Sequence, residues 1–209
     1  HCGIETSITA AKSYITQLTI LIALAYQISE NQELFNLLEQ LPDIIKDSFQ
    51  LENQVQNVIP FFRNSEHLLI FGRGLLYGLV QESELKIQET SYLDARCYSA
   101  SDYQHGPIAT SLSFVPTIFF IADKQTDKSI IQLHQRLKEE KNIFSLIISN
   151  KDNISELGDL SIKIPHQYDG LSAVFVCAII SQMFACLLSI ARGYNPDSPI
   201  GVSKHTVTI

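Results

Sequence analysis

The sequence has no excess of basic residues: 15 lysines and arginines stand against 22 aspartates and glutamates, for a formal net charge of −7. This balance gives no basis for binding nucleic acid or an anionic membrane surface, so we expect neither as a partner. An anionic ligand would need local positive charge to offset the overall field. The apolar fraction of 45% and the charged fraction of 18% are typical of a globular protein and argue against disorder.

Paired cysteines are lacking as well. Cys2, Cys97, Cys177 and Cys186 form no Cys-x-x-Cys pair, and the last two lie in one apolar run. This spacing fits neither a zinc site nor a disulfide framework, so we expect reduced thiols and a cytoplasmic location. No signal peptide precedes the first helical pattern, and the chain begins at His1, so we interpret it as a fragment or a truncated product.

One long run lacks charged residues. Leu171–Ala191 is long enough to cross a bilayer, but serines and a glutamine interrupt its apolar residues. A fully buried helix, or a helix in a subunit interface, gives the same pattern. Because a predicted α/β domain leads into this run, we favour burial and expect no membrane partner.

Helical and extended patterns alternate along most of the chain. Apolar periodicity predicts helices at 7–28, 31–49, 77–93, 126–140 and 171–191, with a further short helix ending near Pro60. Short apolar runs predict strands at 67–72, 95–99, 115–121, 143–149 and 160–164. Continuously apolar strands that alternate with helices indicate a parallel sheet covered on both faces. The predicted fold is an α/β sandwich with a flavodoxin-like five-stranded parallel sheet, preceded by a helical segment.

Three segments carry side chains suited to acid–base chemistry. Lys86 and Glu89 share one face of a predicted helix, either as a surface ion pair or as a carboxylate that moves a proton beside an ammonium. His105 lies in a His-Gly-Pro turn, where its ring either bonds to backbone or meets a ligand. Lys204 lies in the C-terminal tail. It is either solvated or, if the tail folds over a pocket, able to meet a carbonyl substrate as a charge or through a Schiff base.

Two further segments have the features of helix N-termini. The Gly-Arg-Gly sequence at 72–74 follows a predicted strand and is either a plain strand-to-helix turn or a phosphate cradle. Glu5 precedes the first helix, with Thr6 or Ser7 as the expected cap, and a structural role is sufficient to explain it.

Four stretches together resemble the SIS (sugar isomerase) family. They are ETSITAAKSY at 5–14, FGRGLLY at 71–77 continuing to ELKIQE at 84–89, DYQHGP at 102–107, and RGYNPDSP at 192–199 followed by a Ser-Lys pair. The resemblance is to the second SIS domain of a double-SIS protein, as in glucosamine-6-phosphate deaminase-like proteins and the isomerase half of glutamine–fructose-6-phosphate aminotransferase. It implies a helical linker region at 1–60 that completes a preceding SIS domain, an SIS domain at 61–192, and a tail at 193–209 over the active site.

The resemblance implies a role for each candidate residue. Glu89 would shuttle a proton between C1 and C2 of the sugar, with Lys86 assisting near C2. His105 would open the sugar ring from a partner subunit, so we expect a homodimer, and Lys204 would meet the keto sugar. The same pocket would be lined by Glu5 and by the backbone near Ile8.

Two departures from the family's pattern weaken substrate binding. Ile200 stands where the family usually has an arginine after the last proline of the tail. The loop at 122–127 is acidic and lacks glycine, which makes it a poor phosphate cradle. The family's phosphate-binding loop belongs to the first SIS domain, so we expect this chain alone to bind sugar phosphate weakly.

The implied activity of the parent protein is isomerase- or deaminase-type chemistry on hexosamine 6-phosphate, which links glucosamine 6-phosphate to fructose 6-phosphate. A small-molecule sugar phosphate is the implied ligand, and no metal or organic cofactor is implied. Two alternatives stay open: a non-catalytic SIS module that binds sugar phosphates in a regulator, and an inactive truncated fragment. Retention of Glu89, His105 and Lys204 together favours the enzyme, because a sensor needs no proton shuttle.

Overall fold

The structure, a computed structural model, describes residues 2–110 and 113–203. In this part of the chain the helices are α1 (Lys12–Ser29), α2 (Gln32–Phe49), α3 (Glu52–Val58), α4 (Tyr77–Ser91), α5 (Ala100–Tyr103), α6 (Asp127–Lys141), α7 (Asp152–Ser155) and α8 (Leu171–Ala191). The strands are β1 (His67–Gly72), β2 (Asp94–Ser99), β3 (Pro116–Ile121), β4 (Phe144–Ser149) and β5 (Leu160–Lys163). Short 3₁₀ turns lie at Ile59–Phe61, Gly74–Leu76 and Pro107–Thr110.

These strands form one parallel sheet in the order β2-β1-β3-β4-β5, which confirms the predicted flavodoxin-like α/β fold. The predicted strand limits agree with the observed ones to within about one residue. β1 and β3 are neighbours, but the chain leaves β1 toward β2 and leaves β3 toward β4. The connections that follow β1 and β3 therefore run to opposite sides of the sheet. In open α/β sheets, the carboxyl ends of two such strands border a ligand crevice.

Alternate side chains of the strands contribute to two cores, one on each face of the sheet. On one face, Ile70 and Ile118 join the core that is formed with α2, α4 and α8. On the other face, Phe71 and Phe119 stack with ring centroids 5.1 Å apart and join the core that includes side chains of α6. Because right-handed crossovers lead from β1 and β3 to opposite sides, α4 and α6 cover opposite faces.

α8 is the central helix of the first face and spans Leu171–Ala191, as predicted. It is the one helix in the described chain that is long and apolar enough to cross a membrane, and 72% of its most apolar stretch is buried inside the protein. Its serines have partners: Ser181 donates to Ser83 Oγ at 2.6 Å, and Ser189 donates to the carbonyl of Thr90 at 2.8 Å. These two serines therefore bind α8 to α4.

The first helix begins later than predicted. α1 starts at Lys12 rather than near residue 7, and the expected cap at Thr6 or Ser7 is wrong. Glu5 provides the acceptor instead, because its Oε2 accepts hydrogen bonds from the amide (2.9 Å) and the hydroxyl (3.0 Å) of Ser13. The capping carboxylate lies eight residues before its partner, outside the usual cap spacing, and local sequence rules therefore miss it.

Candidate active site

Lys86 lies between two carboxylates on α4. Its Nζ is 3.1 Å from Glu82 Oε1 and 3.5 Å from Glu89 Oε2, at helical spacings that place all three on one face. The lysine is only 6% exposed, and the side chains of Glu82 and Glu89 are 17% and 26% exposed. The three residues, here called the Lys86 cluster, therefore form a largely buried group in which two carboxylates share one ammonium, and not a solvated surface pair.

Glu82 is missed by sequence reasoning, although its position four residues before Lys86 is a standard spacing for a helical ion pair. A further neighbour is Tyr14 of α1. Burial and the negative charge of Glu82 raise the pKa of Tyr14 to about 12. A hydroxyl that stays protonated thus borders the cluster on the side of α1.

A cavity of about 170 Å³ opens beside Lys86 and is called the Lys86 cavity below. Its walls come from α4, α8, the segment before α1 and the segment after α8. Its lining residues are Ser7, Thr9, Ala11, Lys86, Thr90, Gln182, Ala185, Cys186, Pro196 and Asp197. At about 30 Å³ per water molecule, it has room for roughly five or six waters or a ligand of similar bulk. Parts of the chain that lie far apart in sequence therefore meet around one lysine.

The segment before α1 is attached to the rest of the molecule at two points. Glu5 accepts hydrogen bonds from the amides of Ala11 (3.3 Å) and Ser13, and Gln182 of α8 donates to the carbonyl of Ala11 at 3.2 Å. Partial burial acts to raise the pKa of Glu5. The pKa is nevertheless held below its ordinary value, because hydrogen bonds from Ser13 and Ala11 and the charge of Lys12 outweigh the effect of burial. Glu5 is thus an ionised structural anchor.

Glu5 and Ile8 are both predicted to border the substrate pocket. Ser7 and Thr9, on either side of Ile8, lie in the wall of the Lys86 cavity. Glu5 lies behind them, with its carboxylate bonded to the start of α1. The structure therefore places the backbone around Ile8 beside the cavity and gives Glu5 a supporting contact.

The tail after α8 forms another side of the cavity through Pro196 and Asp197. Tyr194 holds the tail against α4, because its ring packs edge-on against Tyr92 with centroids 4.6 Å apart. The amide of Ile200 also donates to the hydroxyl of Tyr92. The tail therefore crosses the end of α4 and contributes one wall of the Lys86 cavity.

The structure does not bring all the predicted catalytic residues to this cavity. Lys204 lies outside the described residues. His105 is exposed in the turn that follows α5, where its amide donates to the carbonyl of Asp102 at 3.1 Å. It lies beyond the carboxyl end of β2.

The elements that carry His105 and the Lys86 cluster pack against opposite faces of the sheet. Ile87 of α4 belongs to the core on one face, whereas Ala100 and Tyr103 of α5, just before His105, belong to the core on the other face. Lys86 is level with the middle of β2, because Cys97 Sγ donates to Glu84 Oε2 at 2.8 Å and Gln88 Nε2 donates to the carbonyl of Ala95 at 2.8 Å.

All four cysteines are free thiols. Burial and the negative charges of Asp197 and Glu52 raise the pKa of Cys186, which faces the Lys86 cavity. Burial and the hydrogen bond to Glu84 raise the pKa of Cys97 to about 12. Both thiols therefore stay protonated at neutral pH and supply no thiolate nucleophile.

Comparison with known proteins gives one family and several relatives. The SIS domain family matches residues 61–192. Glutamine–fructose-6-phosphate aminotransferase (isomerizing) of Aquifex aeolicus is 28% identical over 211 residues, which cover 100% of this chain and 35% of that protein. The chain thus spans about a third of the length of the relatives that it matches.

Two solved structures show the shared fold. The C-terminal domain of glucosamine-fructose-6-phosphate aminotransferase from Francisella tularensis has a TM-score of 0.82 at 23% identity, covering 94% of this chain and 58% of that one. Glucosamine-6-phosphate deaminase from Thermotoga maritima has a TM-score of 0.70 at 21% identity, covering 98% of this chain and 59% of that one. The architecture of the present chain is thus that of a domain found within longer proteins.

Proposed function

The chain belongs to the SIS domain family, and from that premise we propose that it is the second SIS domain of a double-SIS protein that interconverts glucosamine 6-phosphate and fructose 6-phosphate. The Lys86 cluster carries this proposal, because it holds the Glu89 carboxylate 3.5 Å from an ammonium that lines a partly open cavity. The names of the relatives support it, since both refer to an amino-sugar phosphate or its formation. The proposed parts are a helical linker region at 1–60, the SIS domain at 61–192 and the tail at 193–209.

Glu89 is the proposed base. With the amino sugar in its open form, the Glu89 carboxylate removes the proton from C2, the electron pair forms a C1–C2 double bond, and the C1 oxygen gains a proton. Return of a proton from Glu89 to C1 gives the imine at C2. Water then releases ammonia and leaves fructose 6-phosphate. Acid–base catalysis of this kind contributes about 10²- to 10⁴-fold to the rate.

Lys86 is proposed to position the Glu89 carboxylate and to stabilise the negative charge that develops on the substrate oxygen. Its burial supports this role, because a fixed charge acts more strongly where water is excluded. Glu82 contacts the same ammonium from the other side and is proposed to hold the lysine in position.

His105 is proposed to act in the site of a second copy of the chain. The packing of the two elements supports this arrangement, since α5, just before His105, and α4, which carries the Lys86 cluster, lie on opposite faces of the sheet. A homodimer then supplies one turn histidine to each Lys86 cavity, while Lys204 reaches the same sugar from the tail. The phosphate group is proposed to be bound by the preceding SIS domain, and the cytoplasm is the proposed location.

Exchange of substrate protons with solvent tests this function in a protein that carries both SIS domains. In heavy water, fructose 6-phosphate should gain deuterium at C1, the carbon that carries the shuttled proton in the keto sugar. Binding without exchange would identify the alternative, a sugar-phosphate sensor, which one observation favours: Ile200 stands where the family usually has arginine. Neither binding nor exchange would identify an inactive truncated product.

A further inference from the structure

A second cavity, of about 360 Å³, lies at the amino edge of the sheet. One wall is the segment 63–66, which leads into β1, and the other is formed by residues that follow α8. Its lining residues are Arg63, Asn64, Ser65, Glu66, Arg192 and Tyr194. At about 30 Å³ per water molecule, it has room for roughly a dozen waters or a small polar ligand. We name it the amino-edge cavity.

Arg192 is fixed in the wall of this cavity. Its Nη1 donates to the carbonyl of Arg63 at 2.9 Å and to the carbonyl of Ser65 at 2.8 Å. These bonds hold the guanidinium beside the backbone from which the side chain of Arg63 starts. Two arginines that lie 129 positions apart in sequence therefore meet at one cavity.

Both arginines have N–H groups without an acceptor. A guanidinium carries five N–H donors, and in Arg192 only those of Nη1 are used. Its Nε is buried without an acceptor in the described chain, and its Nη2 has none there either. Arg63 is exposed, and its guanidinium forms no hydrogen bond or ion pair with the described residues. Because a buried donor without a partner is unfavourable, the cavity favours a ligand that supplies acceptors.

The charges at the cavity favour an anion. Two arginines and Glu66 leave one net positive charge, in a chain whose formal net charge is −7. Glu66 does not neutralise the arginines, because among the described residues it forms an ion pair with neither of them. Two neighbouring cations repel each other where water is partly excluded, and an anion bound between them removes that repulsion. The cavity thus has the local positive charge that an anionic ligand needs against the overall field.

A phosphate group fits these donors better than a carboxylate. A phosphate monoester carries about −1.5 to −2 charges at neutral pH and has three acceptor oxygens, enough for two guanidinium groups. A carboxylate carries one charge and two oxygens. Asn64 and Ser65 add an amide and a hydroxyl that can donate to the remaining oxygen, and the ring of Tyr194 adds a surface for a small organic group.

We propose that the amino-edge cavity binds a phosphate group, either free or carried by a small polar molecule, between Arg63 and Arg192. Within the described residues, no side chain lines both this cavity and the Lys86 cavity. The site is therefore distinct from that of the sugar-phosphate substrate, whose phosphate is assigned above to the preceding SIS domain. Each of the two assignments can fail without the other.

Titration of the full chain with inorganic phosphate tests this inference, by NMR or calorimetry at about pH 7.5 and constant ionic strength. Acetate serves as the anion with a single charge, and glycerol phosphate as the ester. We expect phosphate to bind about tenfold more tightly than acetate. Tighter binding of glycerol phosphate than of phosphate would identify an ester as the ligand, and weaker binding would identify free phosphate.

Matched variants locate the site. Arg63→Gln, at an exposed position, should weaken phosphate binding roughly tenfold. Glu66→Gln removes the negative charge from the wall and should strengthen binding about threefold, a gain that misfolding cannot produce. Arg136→Gln removes an exposed arginine from α6, away from the cavity, and should leave binding unchanged.

Four results would overturn the proposal. They are absence of phosphate binding, equal binding of phosphate and acetate, equal losses in Arg63→Gln and Arg136→Gln, and no gain in Glu66→Gln.

Discussion

The Nζ of Lys86 lies 3.1 Å from Glu82 Oε1, and both side chains are largely buried. This contact is internal to the fold, so its loss leaves a charge that water cannot readily solvate. Because Lys86 also contacts Glu89, the lysine has two partners and each glutamate has one. Replacing each of the three residues should therefore lower the free energy of unfolding by a different amount.

Lys86→Met should lower the free energy of unfolding by about 2–4 kcal/mol, because Glu82 and Glu89 then face each other without a cation. Glu82→Gln should cost less, about 1–2 kcal/mol, since Glu89 still pairs with the ammonium. Urea denaturation measures both changes. The control Glu140→Gln removes an exposed partner of Arg136 and should shift stability by less than about 0.5 kcal/mol. A Lys86→Met protein as stable as this control would contradict a stabilising cluster.

Glu89→Gln should lower kcat by about 10²- to 10⁴-fold in a protein that carries both SIS domains, while substrate binding stays nearly unchanged. The amide has almost the same shape as the carboxylate but cannot accept the proton. Steady-state kinetics and a binding titration with fructose 6-phosphate separate the two effects. Glu84→Gln makes the same change about one and a half turns away on α4 and should retain turnover. Wild-type kcat in Glu89→Gln would refute the assignment of the base.

Mixing two inactive variants tests whether His105 acts across subunits. In a dimer with shared sites, Glu89→Gln and His105→Ala each inactivate both sites, but a mixed dimer contains one intact site. With equal amounts and random exchange, half of the dimers are mixed, so activity should return to about a quarter of the wild-type value. Two results would contradict a shared site. One is a mixture that stays inactive after the two variants are unfolded and refolded together, and the other is a protein that sediments as a strict monomer.

His134 of α6 should make stability depend on pH. Its Nε2 lies 3.1 Å from Ser145 Oγ, and its Nδ1 is buried without a partner in the described chain. Burial, and then the positive charge of Lys138, lower the pKa of His134 to about 4, although the charge of Asp159 acts in the opposite direction. The ring is therefore neutral in the folded protein at neutral pH.

The unfolded chain binds this proton near the ordinary pKa of 6.5, whereas the folded protein binds it only near pH 4. Between these values the unfolded state holds more protons, so stability should fall as the pH drops, by up to roughly 3 kcal/mol. Above about pH 6.5 the contribution is constant. Urea unfolding at several pH values should show a shallower dependence in His134→Gln, which keeps a hydrogen-bonding side chain. Parallel curves for the two proteins would show that His134 is not the cause.

Sequence patterns predicted the central strands β3 and β4 because each is a largely apolar run that is buried on both faces, as Ile118 and Phe119 of β3 illustrate. Spacing alone also placed Lys86 and Glu89 on one helical face. Their burial was not predictable in the same way, because it depends on α8 and on the segment before α1, which lie far away in sequence. The placement of His105 likewise follows from the packing of α4 and α5 against opposite faces of the sheet.

The loop after β3 likewise could be predicted from the sequence only in part. Its acidic composition was visible in the sequence and argued against a phosphate cradle. The hydrogen bond from the Lys124 amide to Asp169 could not be predicted from the sequence, because Asp169 is 45 residues further along the chain. Only the packing of the segment before α8 against this loop brings the two together, so the occupied amide of the loop depends on tertiary structure.

A single oxygen of Glu5 accepts hydrogen bonds from Ala11 and Ser13 and so anchors the chain at the start of α1. Ser7 and Thr9 lie between this anchor and the helix and face the Lys86 cavity. Mutations at these two positions can therefore change the size and polarity of the cavity while the helix start stays fixed. Evolution has here a way to alter ligand preference in small steps without rebuilding the scaffold.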